Sequence, residues 1–177
     1  MDDLLELYGR ASDWTRTKVE AAASQLDSPT PCDQWDARTL LNHVLDTQRF
    51  FSDTARGREA SLPAPEPPNL IGDDPVAAFD GACAETQAAF GEPGVIDKTG
   101  PSLGVAFSDL LLHGWDLAKA TGEDATMPAG LPEAAYELIH GKFTDEQRKG
   151  LFKPQIDVPA DAAAQAKLLA YTGRDPS

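Results

Sequence analysis

Cysteine, histidine and positive charge are all scarce in this chain: 177 residues carry two cysteines, three histidines, and 15 Lys and Arg against 29 Asp and Glu. Two thiols are too few for a disulfide scaffold, and a chain of this length can build a core without one. Cys83 stands among Ala82, Ala84 and Phe90 and is expected to behave as a small buried hydrophobe. Cys32 precedes a helix start and admits two readings, a thiol near the positive helix end or a buried inert one, and the second is preferred. The formal net charge of −14 and pI near 4.4 oppose binding to nucleic acid or an anionic membrane, since like charges repel. The acidic residues form no long block, so they read as a solvated surface. Apolar runs are also short of the roughly 20 residues that cross a bilayer. The opening MDDLLELYGR lacks the basic region and small-residue cleavage site of a signal peptide, so the expected location is cytoplasmic.

What is present is ordinary for a folded protein, with 41% hydrophobic and 25% charged residues, and residues 1–177 are read as one domain. Leu4, Tyr8, Ala11, Val19, Ala22 and Leu26 keep helical spacing, so a helix is expected over 4–26, ended by Ser28-Pro29-Thr30-Pro31. Asp36 is the expected N-cap of a second helix over 37–56. Four prolines within 62–68 make an extended connector. Asp74-Pro75 starts a third helix, which stops near Gly91, and the glycine-rich segment 91–104 is expected to be a loop before a fourth helix over 105–121 with Gly122 as cap. A short helix is expected over 132–140, a turn or short helix over 144–150, and a final helix over 161–171. The fold class is therefore all-α, a four-helix bundle with short additional C-terminal helices, whose long connector permits a topology other than up-down.

The informative segment is FSDLLLHGWDLA, where Asp109, His113 and Asp116 fall within roughly 60° of one another on a helical wheel. Val105, Ala106, Leu110, Leu112 and Leu117 flank this stripe, and Phe107, Leu111, Trp115 and Ala118 cover the opposite face. A helix apolar nearly all round is buried, and a buried carboxylate needs a cation or good hydrogen bonds. A metal would be such a cation, held by Asp109 and His113 on adjacent turns with His43 from the second helix as third ligand. A hydrogen-bonded polar network is the other reading, and the residues alone leave both open. Asp116 is either an alternative ligand or the group that fixes a ligand histidine's tautomer from behind. His140, near a helix end, ranks below the other two histidines. Arg38 and Arg49 point away from His43, so no substrate-anchoring cation is evident.

The stretches TPCDQWDARTLLNHV (30–44), DLLLHGWDLAKATG (109–122) and LLAYTGRDP (168–176) resemble actinobacterial metal-binding proteins of the DinB-like superfamily, whose relatives include the N-terminal domain of mycothiol-dependent maleylpyruvate isomerase. The resemblance covers nearly the whole chain and implies a DinB/YfiT-like four-helix bundle holding a divalent metal, zinc ahead of nickel, through His43, Asp109 and His113. Where the isomerase uses His, Glu and His, this chain has the shorter Asp109. The isomerase also has a further C-terminal domain for which this chain, ending at Ser177, leaves no room, so isomerase activity itself is not expected.

The function implied is a thiol-dependent transferase or isomerase, with mycothiol or a similar small thiol as cosubstrate activated on the metal against an electrophilic substrate. The alternative is a metal or small-ligand binding protein without turnover. Exposed bundle faces permit a homodimer without requiring one.

Overall fold

The computed structural model describes residues 4–33 and 35–177, and all its regular elements are helices; the acidic start at Asp2 and Asp3 lies outside the described residues. Seven helices follow in order: α1 Leu4–Ala22, α2 Ala37–Ala55, α3 Pro75–Phe90, α4 Val95–Thr121, α5 Leu131–Ile139, α6 Asp145–Leu151 and α7 Ala164–Tyr171. None is long and apolar enough to cross a membrane, among the described residues.

α1 buries Leu7, Tyr8, Ala11, Thr15, Lys18, Val19 and Ala22, the face its spacing predicts. It stops four residues before the expected end because Leu26 and Ser28 turn their carbonyls toward α2, accepting the amides of Arg38 and Ala37. Asp36 caps α2 as expected, its Oδ1 accepting from the Thr39 amide at 2.8 Å. Asp74 does the same for α3, with Pro75 in the first turn.

The largest correction concerns α4. It begins at Val95, so most of the segment expected to be loop is helix, with Pro101 inside it. Pro101 removes one helical hydrogen bond, but the preceding Gly100 offers no Cβ to clash with the proline ring. Buried Leu103 and half-buried Val95 and Ile96 extend the apolar face, and this packing outweighs the weak propensity of Gly and Pro. Gly122 forms the expected left-handed cap, its amide bonding to the Ala118 carbonyl.

α1 packs on α4 and α3, and α2 packs on α3 and α4, closing a four-helix bundle; α5 lies on α4 and α7 on α5. The proline-rich connector retraces α2. Its Ala64 amide bonds to Asp46, and its Leu70 and Ile71 amides bond to Asn42 near the start of that helix. α3 thus begins beside the early turns of α2, and farther along Thr86 donates to the Gln48 carbonyl while Arg56 reaches the Glu85 carbonyl. The two helices run parallel, which a short hairpin loop could not produce.

Candidate metal centre

The apolar surroundings of α4 carry its polar stripe into the bundle interior. Gly114 makes this possible: a Cβ there would lie 2.6 Å from both Thr15 Oγ1 and Trp14 Cζ3, so only glycine lets α1 press against α4 at this level. Thr15 uses the closeness to donate to the Leu110 carbonyl at 3.0 Å. α4 is thereby set with His113 and Asp116 buried and Asp109 partly so.

His113 stands between two carboxylates. Its Nε2 lies 3.4 Å from Asp109 Oδ1, and its Nδ1 lies 2.9 Å from Asp116 Oδ2. His43 arrives from α2, its ring 5.1 Å from that of His113 and nearly perpendicular to it, with the Trp35 ring packed 4.7 Å away. One ligand atom each from His43, Asp109 and His113 lie within 4.8 Å of one another. Thr47 Oγ1 approaches His43 Nε2 at 3.4 Å, whereas His43 Nδ1 and Asp109 Oδ2 are buried with no hydrogen-bond partner. Two orphaned atoms of this kind cost free energy unless something else binds there. Two imidazoles and a carboxylate suit a borderline divalent ion such as zinc, so the residues fit a metal.

The electrostatics divide the histidines. Burial, assisted by nearby His113, lowers the pKa of His43 to about 4, so its ring is neutral at ordinary pH, the form a ligand must take. Burial acts the same way on His113, but Asp109 and then Asp116 outweigh it and raise its pKa well above the usual value. Burial would raise the Asp109 carboxyl too, yet His113 and His43 hold it below its ordinary range.

Asp116 is 0% exposed, and its burial opposes ionisation, but the guanidinium of Arg174 reverses this and holds it well below the usual carboxylate range. Arg174 donates from Nε to Oδ1 at 2.9 Å and from Nη2 to Oδ2 at 2.7 Å, a bidentate pair. It comes from the turn after α7, where Gly173 has φ 75° and a Cβ would meet Lys153 Cβ at 2.4 Å. Helical-wheel reasoning finds no cation at the site, because Arg174 lies on no helix; its place in the TGRDP motif was the only signal.

Cys32 also departs from the preferred reading. It is half-buried rather than sunk in the core, and its thiol donates to Asp116 Oδ2 at 3.3 Å. The loop holding it is fixed when Thr30 accepts from the Cys32 amide and donates to the Trp35 carbonyl. Cys32, His113 and Asp116 form a second cluster of ligand type, although Asp116 is already committed to Arg174 and His113. Cys83 is buried as expected. His140 belongs to neither ligand-type cluster; it is stacked on Tyr136 at 4.6 Å and lies beside Tyr171.

These groups line a cavity of about 600 Å³, which Cys32, His43, Asp109, His113, Asp116 and Arg174 share with mostly apolar side chains. That size and lining are typical of small-molecule sites.

Two uncharacterized proteins of Mycobacterium tuberculosis, from strains CDC 1551 and H37Rv, are each 31% identical over 188 aligned positions, covering 97% of this chain and 98% of the relative. No solved structure matches. The profile of the mycothiol maleylpyruvate isomerase N-terminal domain matches residues 8–118, a span that contains His43, Asp109, His113 and Asp116, and the chain belongs to that family.

Proposed function

We propose that His43, Asp109 and His113 hold one divalent metal ion, zinc ahead of nickel, and that the protein is a transferase or isomerase dependent on mycothiol or a similar small thiol. The observation that carries this reading is the pair of buried, unpartnered atoms, His43 Nδ1 and Asp109 Oδ2, beside His113 in the lining of a ligand-sized cavity. Held by His43, Asp109 and His113, a divalent ion would leave room for a thiol and would favour its nucleophilic thiolate form. The histidines serve as neutral nitrogen ligands and Asp109 as an anionic oxygen ligand. Asp116 accepts the Nδ1 proton of His113, so that the proton given up on metal binding is the one on Nε2, which faces Asp109. Arg174 keeps Asp116 anionic for that task, and the apolar walls exclude water from the reacting sulfur.

Membership of a mycothiol-related family supports the choice of thiol, and the two free cysteines fit a reducing cytoplasm. We take residues 1–177 as one domain, with bundle faces that could pair in a homodimer. A second reading, a metal or small-ligand binding protein without turnover, is favoured by one observation: both cations lining the cavity, Arg174 and Lys153, are paired with carboxylates and do not present a free anchor to a substrate.

Metal analysis by inductively coupled plasma mass spectrometry, on protein purified without a metal-affinity tag, tests the centre. About one equivalent of metal, lost in a His43→Ala/His113→Ala variant, is expected. Protein that takes up no zinc or nickel on reconstitution would overturn the reading and leave a buried polar network. Consumption of mycothiol with an electrophile, abolished in His113→Ala, then separates the transferase from the binding protein.

A further inference from the structure

Two large hydrophobic side chains stand well out in solvent, Leu62 at 79% and Leu151 at 58% exposure, and both line the cavity that contains the candidate metal centre. One comes from the proline-rich connector and the other from the end of α6, so no single element's amphipathic pattern places them together. A scattered exposed leucine is unremarkable, but two at one site, with Phe50, Phe51, Phe143 and Phe152 lining the same space, give the cavity a largely apolar lining.

The charged groups narrow what such a cavity can accept. Asp33, Asp109 and Asp116 line it together with Lys153 and Arg174. Lys153 is held by Asp33 Oδ1 at 2.9 Å and the Pro31 carbonyl at 3.0 Å, and Arg174 spends two donors on Asp116. With a divalent ion and one thiolate added, the formal charges cancel. With the thiolate filling the metal's open position, a carboxylate entering this space would lose its water and meet no uncommitted cation, whereas a neutral apolar group would lose only water it binds poorly.

We propose that the electrophile taken by this site is neutral and apolar, an aryl or alkyl group with a leaving group on its reactive carbon, and that Leu62 and Leu151 help select it over carboxylate-bearing substrates. The proposal rests on the thiol-transfer reading. In the step, the thiol proton passes to solvent, the thiolate sulfur forms a bond to the carbon, and the carbon–halogen bond of a halide substrate breaks, the halide leaving with the bonding pair. No oxidant or reductant is required.

Equilibrium dialysis of zinc-loaded protein in excess mycothiol, so that the thiolate fills the metal's open position, with nitrobenzene and with para-nitrobenzoate, an unreactive pair differing by one carboxylate, tests the selectivity without any need for turnover. Nitrobenzene is expected to bind at least about tenfold more tightly. A Leu62→Asp/Leu151→Asp variant, altered only at exposed positions and checked for an unchanged melting temperature, is expected to lose about tenfold of that binding. Equal or tighter binding of the benzoate, no binding of nitrobenzene, or unchanged binding in the folded double variant would each overturn the proposal. The reactive pair para-nitrobenzyl bromide and para-(bromomethyl)benzoate, with mycothiol, reports separately on transfer. Selective binding of nitrobenzene without turnover of either bromide would defeat the transferase reading and leave the cavity's preference for neutral apolar ligands standing.

Discussion

Arg174 and His113 share a carboxylate: Asp116 Oδ2 accepts from Arg174 Nη2 at 2.7 Å and lies 2.9 Å from His113 Nδ1. The turn after α7 is thus tied to the back of a candidate metal ligand on α4 by two consecutive charge-assisted contacts.

Removing the guanidinium should be costly. Arg174→Ala leaves a fully buried carboxylate with its main counter-charge gone, and breaking a buried pair from one side costs about 3–5 kcal/mol. Urea denaturation should show a loss of that size, with partial recovery in Arg174→Ala/Asp116→Asn, where the orphaned charge is gone. Equal stability of the two variants would mean that Asp116 finds another partner.

Metal affinity should fall in two grades. His43→Ala or Asp109→Ala removes a ligand outright and should abolish stoichiometric binding. Asp116→Asn keeps all three ligands but weakens the support of His113, which typically costs about 10–100-fold in affinity. Competition with a chromophoric zinc chelator measures both.

Proton release should accompany metal binding, and its sign follows from the two histidines. His43, with a pKa lowered to about 4, is already neutral at neutral pH and releases nothing. His113, raised well above the ordinary histidine value, still carries its proton there and must give one up. Apparent affinity should therefore rise about tenfold per pH unit above neutrality and level off once His113 titrates. Calorimetry in two buffers of different ionisation enthalpy should show about one proton released per ion at neutral pH.

In the metal-free protein the same shifts act on stability with opposite signs. His43's lowered pKa gives stability that is present above the unfolded value of about 6.5 and is lost as pH falls toward 4. His113's raised pKa gives stability that is present below about 6.5 and is lost as pH rises through the folded value. His43→Gln should flatten the acid limb of the melting-temperature profile and leave the alkaline limb unchanged.

Packing between α1 and α4 supplies a test away from the chemistry. Gly114→Ala would place a Cβ 2.6 Å from Thr15 Oγ1 and Trp14 Cζ3, and overpacking of this kind costs about 1–3 kcal/mol. The glycine of the HGWD motif should prove a stability residue, with metal stoichiometry retained in whatever fraction remains folded.

The parts legible in the sequence were those governed by local periodicity. Asp36 and Asp74 announced two helix starts, and the spacing of Asp109, His113 and Asp116 put them on one face because a helix repeats regularly. The first turns of α4 were not legible, since Gly100 and Pro101 argue for a loop and only the packing of Leu103 overrules them. Arg174 was hidden for a different reason: it meets Asp116 across 58 positions of sequence from an irregular turn, and no periodicity relates the two. Cys32 likewise depends on how the loop before α2 folds over the bundle, which local pattern does not specify.

The connector that retraces α2 also sets a minimum length for the polypeptide. α2 has 19 residues, a rise of about 28 Å at 1.5 Å per residue, and an extended chain covers about 3.3 Å per residue. Roughly nine residues are therefore needed to return from Ala55 to the start of α3. Trimming the loop between α2 and α3 toward that limit should be tolerated, whereas a tight turn would force the two helices antiparallel, reverse the order of every contact between them and take Thr86 away from Gln48. Spacer length, more than the identity of its prolines, thus decides which way the third helix points.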